Sequence, residues 1–130
     1  MVCYNSVIPS APLKTILVVD DEAAIRRLFR ILLERAGYRV AEAANGREAL
    51  RVIDSEPIDL MITDIVMPDQ EGLETLTALR AGGRPLKIIA ISGAAFSYLK
   101  IAKILGADAT LPKPVTPDDL LATVERVLNP

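Results

Sequence analysis

Three short runs of this chain are almost unbroken in apolar residues: TILVV at 15–19, IDLMIT at 58–63 and KIIAIS at 87–92. A strand with one wet face alternates apolar and polar side chains, whereas a strand covered on both faces does not. Each run therefore reads as a strand that needs a layer of structure above it and another below. Two weaker candidates are YRVAEA at 38–43 and DATLP at 108–112.

Segments with helical spacing lie between them. Ile25, Leu28, Phe29, Leu32 and Ala36 fall on one helical face, and Gly37 closes that helix. NGREALRVIDS opens on Asn45 as N-cap, and EGLETLTALRAGG ends in two glycines. FSYLKIAKILGA ends at Gly106, and VTPDDLLATVERVLN starts with Thr116 as N-cap, Pro117 at the first turn and Asp119 reaching back as in a capping box. Its apolar face is Leu120, Leu121, Val124, Val127 and Leu128. Strand and helix alternate five times. That order predicts an α/β fold, (βα)5, with a parallel sheet between two helical layers and right-handed crossovers.

Apolar residues are 51% of 130, enough for the core of one domain. Pro9 and Pro12 mark residues 1–13 as a loosely ordered leader to a domain over 14–128. The leader lacks the basic and apolar regions of a signal peptide, and no run is long enough to span a membrane. A net charge of −2 and only five aromatic side chains argue against a nucleic-acid surface. The lone Cys3 suits a reducing, cytoplasmic setting. The chain has no histidine, which excludes a Ser-His-Asp or Cys-His triad and a His-ligated zinc. Metal chemistry would have to use oxygen ligands, which favours magnesium, calcium or manganese.

In open α/β sheets, sites form beyond the carboxyl ends of the strands. There the first strand gives Asp20 and Asp21, the third Asp64, the fourth Ser92 and the fifth Lys113 followed by Pro114, while the second ends in nothing reactive. Crowded carboxylates cost free energy unless a cation or raised pKa values relieve them. Magnesium does so using a couple of carboxylates and several waters. It would in turn attract a phosphate, to which Lys113 offers a compact charge and Ser92 a hydroxyl. One carboxylate could then act as the nucleophile and become an acyl phosphate.

VVDDE at 18–22, ITDIVMPDQEG at 62–72, AISGA at 90–94 and LPKP at 111–114 together resemble the receiver domains of two-component response regulators, a CheY-like superfamily. The D-x-x-M-P-x-x-x-G run is the most specific part: Asp64, Met67, Pro68 and Gly72. The resemblance covers about residues 14–128. It implies a flavodoxin-like (βα)5 sandwich with strand order 2-1-3-4-5. It also implies that Asp64 accepts the phosphoryl group, and that Asp20, Asp21, Asp64 and the backbone carbonyl of Val66 hold Mg2+. Lys113 would contact the phosphoryl oxygens, its bond to Pro114 would be cis, and Ser92 would turn toward the phosphoryl group.

The implied partners are a histidine kinase or histidine phosphotransfer protein and a downstream protein. The downstream protein would dock on the fourth helix, fifth strand and fifth helix. No nucleic acid or membrane is expected, a homodimer is left open, and the only catalysis is the domain's own phosphorylation and dephosphorylation. Since Pro130 ends the sequence, output is expected through protein binding.

Three positions depart from the family pattern. Thr110 stands where an aromatic switch residue is usual, with Phe96 and Tyr98 as candidate substitutes. Val66 and Ala94 are apolar at places that tune hydrolysis, so neither can orient a water. Arg26, Arg27 and Arg30 could dock a helical partner or simply be solvated. The alternative functions are a receiver-fold scaffold that does not switch and a flavodoxin-like cofactor binder. The second would need a phosphate loop where DDEAA stands.

Overall fold

The computed structural model of the chain describes residues 13–65, 71–93 and 96–130, with backbone alone at 71, 72 and 96–99. Val66, Met67, Pro68 and Ala94 lie outside the described residues, as does the expected leader up to Pro12.

Among the described residues there are five strands: β1 (Thr15–Val19), β2 (Arg39–Ala43), β3 (Leu60–Asp64), β4 (Lys87–Ser92) and β5 (Ala109–Pro112). They alternate with α1 (Ala23–Arg35), α2 (Gly46–Ser55), α3 (Glu71–Ala81), α4 (Phe96–Ile104) and α5 (Pro117–Leu128). All pairings are parallel, in the order β2-β1-β3-β4-β5. This is the flavodoxin-like sandwich, with β3 near the centre and buried along its whole length. Its span differs slightly from the sequence reading: Ile58 and Asp59 precede the strand, and Asp64 is its last residue.

Alternate residues of each strand feed two cores. Leu17, Val19, Met61, Ile88 and Ala90 face the layer that carries Ala49, Leu76, Leu79 and Ala102. Ile16, Val18, Leu60, Ile62, Ile89 and Ile91 face Phe29, Leu33, Leu120, Val124 and Val127. Each fully buried Leu, Ile or Phe contributes about 1.5–3 kcal/mol, so this double cover accounts for the unbroken apolar runs. The face of α1 is rotated from the expected one. Phe29 and Leu33 are its buried residues, and Leu28 stands 49% exposed.

The caps follow local chemistry. Asn45 Oδ1 accepts the Glu48 N–H at 2.9 Å, and Glu48 Oε1 in return accepts the Ala44 N–H at 2.9 Å. Thr116 Oγ1 accepts the Asp119 N–H at 3.1 Å. After α4 the chain turns at Gly106 with φ +114, a conformation that L side chains rarely adopt. Added there, a Cβ would stand 2.9 Å from Arg80 Cγ. Arg80 cannot step aside cheaply, since it donates to the carbonyls of Gly106, Arg84 and Leu86 and to Asp108 Oδ2. Gly106→Ala is therefore expected to destabilise the fold by about 2 kcal/mol, read as a lowered denaturant midpoint. An unchanged midpoint would contradict this account of the turn.

Candidate functional site

Parallel register brings the carboxyl ends of the strands level. Val19 lies opposite both Ala43 and Thr63, Asp64 opposite Ile91, and Ser92 opposite Pro112. Asp20 extends β1 by one step, its N–H donating to the Ala43 carbonyl at 3.2 Å. At this edge Asp20, Asp64 and Ser92 are all buried, at 4%, 6% and 1% exposure.

Lys113 joins the acids. Its Nζ lies 2.6 Å from Asp64 Oδ2 and 3.9 Å from Asp20 Oδ2. The lysine is placed by its backbone N–H, which donates to the Ser92 carbonyl at 2.9 Å, and the Lys113–Pro114 peptide is cis. Gly93 makes room for its stem. A Cβ at Gly93 would sit 3.3 Å from Lys113 Cδ. Burial would pull the Lys113 ammonium down, but the Asp64 hydrogen bond and the charges of Asp64, Asp20 and Glu22 outweigh it and hold it above its ordinary value.

Asp20 behaves differently. Burial pushes its carboxyl up, aided by the charges of Asp64 and Asp21, against the Glu22 N–H at 2.8 Å and Lys113. Asp21 itself is exposed. Among the described residues no three acidic side chains form a complete metal cage. The carboxylates brought together are Asp20 and Asp64, across Lys113. The donors are all oxygen, and the Asp20 carboxylate is only partly relieved by the Glu22 N–H and Lys113. Both features fit a hard cation that takes one or two carboxylates and completes its shell with water and backbone carbonyls.

That tension is measurable. Asp20→Asn keeps an acceptor for the Glu22 N–H and removes the buried charge. In metal-free buffer at neutral pH it is expected to be more stable than wild type, by about 1 kcal/mol. Because the folded pKa exceeds the unfolded one, the cost is present above the folded pKa and fades as pH falls through it. The advantage of the Asn variant should shrink in acid. Thermal melts giving equal stability at neutral pH would contradict this.

Thr110 sits half-buried on β5, opposite Ala90. Gly72 lies in the first turn of α3, and Phe96 and Tyr98 lie on α4. Arg26 and Arg30 are not a free basic face. Both donate to Glu42, at 3.2 Å and 2.6 Å, and the Arg30 bond holds the Glu42 carboxyl below its usual value. Arg27 remains exposed. The second strand is thus not idle, since its penultimate residue Glu42 is tied to α1. An acid inside the run RVAEA, with arginines four apart on the preceding helix, was the signal available in the sequence.

Beside Lys113 runs a groove of about 470 Å³, lined by Glu22, Ile25, Leu28, Phe29, Gly93, Pro114 and Val115. A larger hollow, about 890 Å³, lies at the opposite pole near Thr15, Arg39 and Asp59, away from the acids.

Residues 16–125 match the family described as the response regulator receiver domain. The chain is 40% identical over 115 residues to response regulator MprA of Mycolicibacterium vanbaalenii, covering 88% of this chain and 50% of that protein. It is 36% identical over 117 residues to the alkaline phosphatase synthesis transcriptional regulatory protein PhoP of Bacillus subtilis, covering 89% and 49%. The chain thus spans about half the length of the curated relatives it matches. Among solved structures, a CheY-like receiver domain protein from Methanospirillum hungatei superposes with TM-score 0.84 at 38% identity, covering 91% of this chain and 95% of that one. Response regulator TrrA from Thermotoga maritima, solved in complex with Mg2+-BeF, gives TM-score 0.80 at 36% identity, covering 89% and 100%.

Proposed function

Because this chain belongs to the response regulator receiver domain family, we propose that Asp64 accepts a phosphoryl group from a phosphohistidine on a kinase or phosphotransfer protein. The receiver unit runs over residues 14–128, and phosphorylation changes which protein it binds. The observation that carries this reading is the Lys113 bridge, 2.6 Å from Asp64 and 3.9 Å from Asp20, at the carboxyl edge of the sheet.

An Asp64 oxygen attacks phosphorus while the bond from phosphorus to the donor's imidazole nitrogen breaks, and the electron pair leaves with that nitrogen. Lys113 shifts from the carboxylate to a phosphoryl oxygen and holds charge there. Magnesium would be held by Asp20 and Asp21, with Asp64 and the Val66 carbonyl, and would neutralise phosphoryl charge when bound. Ser92 would donate its hydroxyl to the phosphoryl group. The groove beside Lys113, walled by Ile25, Leu28 and Phe29 of α1, gives a helical phosphodonor an apolar seat next to the reacting carboxylate.

The single cysteine supports a cytoplasmic location. No helix among the described residues is long and apolar enough to cross a membrane. PhoP of Bacillus subtilis is named for transcriptional regulation. The net charge of −2 and the few aromatic side chains belong to this chain alone and do not restrict nucleic-acid binding by a longer protein that contains it. An end at Pro130 likewise does not restrict the output to protein binding.

The test is incubation with acetyl phosphate. A gain of one phosphoryl mass that requires Mg2+ supports the proposal, and no gain would overturn it. A second reading, a scaffold that is phosphorylated without switching, is favoured by Thr110, which places no ring on β5 opposite Ala90. It predicts that beryllofluoride leaves the amide spectra of α4 and β5 unchanged.

A further inference from the structure

Arg26 reaches the acid pair without touching a carboxylate of it. Its Nη1 donates to the backbone carbonyl of Asp20 at 2.6 Å, while its Nε donates to Glu42 Oε1 at 3.2 Å. Glu42 is gripped from its other oxygen by Arg30 Nε at 2.6 Å, and Arg30 Nη1 also donates to Glu34 at 3.0 Å. The carbonyl of Asp20 belongs to the peptide that joins it to Asp21. With the Asp20 N–H on Ala43 and the Glu22 N–H on Asp20 Oδ1, the turn is held at three points. The Arg26 bond is the one that fixes the plane of the Asp20–Asp21 peptide.

We propose that Arg26, anchored by Glu42, is a positioning residue that sets Asp20 and Asp21 for a divalent cation. This rests on the reading of those acids given above. A guanidinium suits the task because its rigid fork can bond a carbonyl and a carboxylate at once. Glu42 is near enough because β2 pairs with β1 in parallel, with Glu42 opposite Val18, on the side that α1 covers.

The sign of one effect separates positioning from plain electrostatics. Arg26 is a cation beside a cation site, so removing its charge alone would tighten Mg2+ binding. Loss of positioning weakens it, and partners of this kind typically change metal affinity by 10–100-fold. The experiment is an Mg2+ titration of the whole chain followed by the amide resonances of Asp21 and Glu22, with thermal melts to verify folding. Arg26→Ala and Glu42→Ala are both expected to weaken Mg2+ about 10-fold. Glu42→Gln keeps an acceptor for Arg26 and should bind Mg2+ close to wild type. Unchanged or tighter binding in folded Arg26→Ala, or in Glu42→Ala should the first variant fail to fold, overturns the inference while leaving the proposed function intact. A wild-type protein that neither binds Mg2+ nor takes up phosphoryl from acetyl phosphate overturns both.

Discussion

Asp64→Ala is expected to abolish phosphoryl uptake from acetyl phosphate altogether, with no residual slow reaction at a neighbouring acid. The reason is geometric. Asp64 ends the central strand, is 6% exposed and has Lys113 Nζ at 2.6 Å, so nucleophile and counter-charge are already together. Asp21 is exposed, and Asp20 lies at 3.9 Å from the same ammonium. Neither is a comparable nucleophile. The same variant should keep its fold, because the alanine leaves β3 paired on both sides. Intact-mass spectrometry of wild type and variant, side by side, reads the result. Uptake by Asp64→Ala at a rate near wild type would place the acceptor elsewhere.

Lys113→Ala should slow phosphorylation by on the order of 100-fold, the usual effect of deleting one preorganised group that faces developing charge. Mg2+ affinity should not fall in parallel. Removing a cation from beside Asp20 and Asp64 leaves both acids more strongly negative toward a metal. The combination of slower chemistry with unweakened Mg2+ binding distinguishes a group acting on the phosphoryl oxygens from one that only holds the site together. Single-turnover uptake of acetyl phosphate, with an Mg2+ titration of the same sample, separates the two. A parallel loss of metal affinity would assign Lys113 to the architecture of the site instead.

Much of the fold was legible because parallel strands buried on both faces leave a distinctive mark. TILVV and KIIAIS could not be placed on a half-wet sheet, and the strand order follows once five βα units are counted and the family resemblance is added. The candidate site was legible for a related reason. Strand ends are identifiable where apolar runs stop, and Asp20, Asp64, Ser92 and Lys113 each stand at such an end.

What escaped the reading depends on azimuth and reach, which spacing does not fix. The expected stripe included Leu28 and not Leu33, but the angle at which α1 docks on β1 and β2 buries Leu33 and leaves Leu28 half out. Three arginines on that helix looked alike in sequence. Arg26 and Arg30 turn inward to Glu42 because the strand register brings that acid beneath α1, whereas Arg27 points away. In the sequence Gly93 is visible only as part of the AISGA motif. Its role as clearance for the Lys113 stem depends on a contact across two strand ends.

The most direct measurement is the position of the label. Wild-type protein treated with acetyl phosphate and Mg2+, then with borohydride, converts an aspartyl phosphate to homoserine at the modified position. Peptide sequencing by mass spectrometry should find homoserine at residue 64 and nowhere else, with none when Mg2+ is withheld. Homoserine at Asp20 or Asp21, or no conversion at any aspartate, would contradict the account.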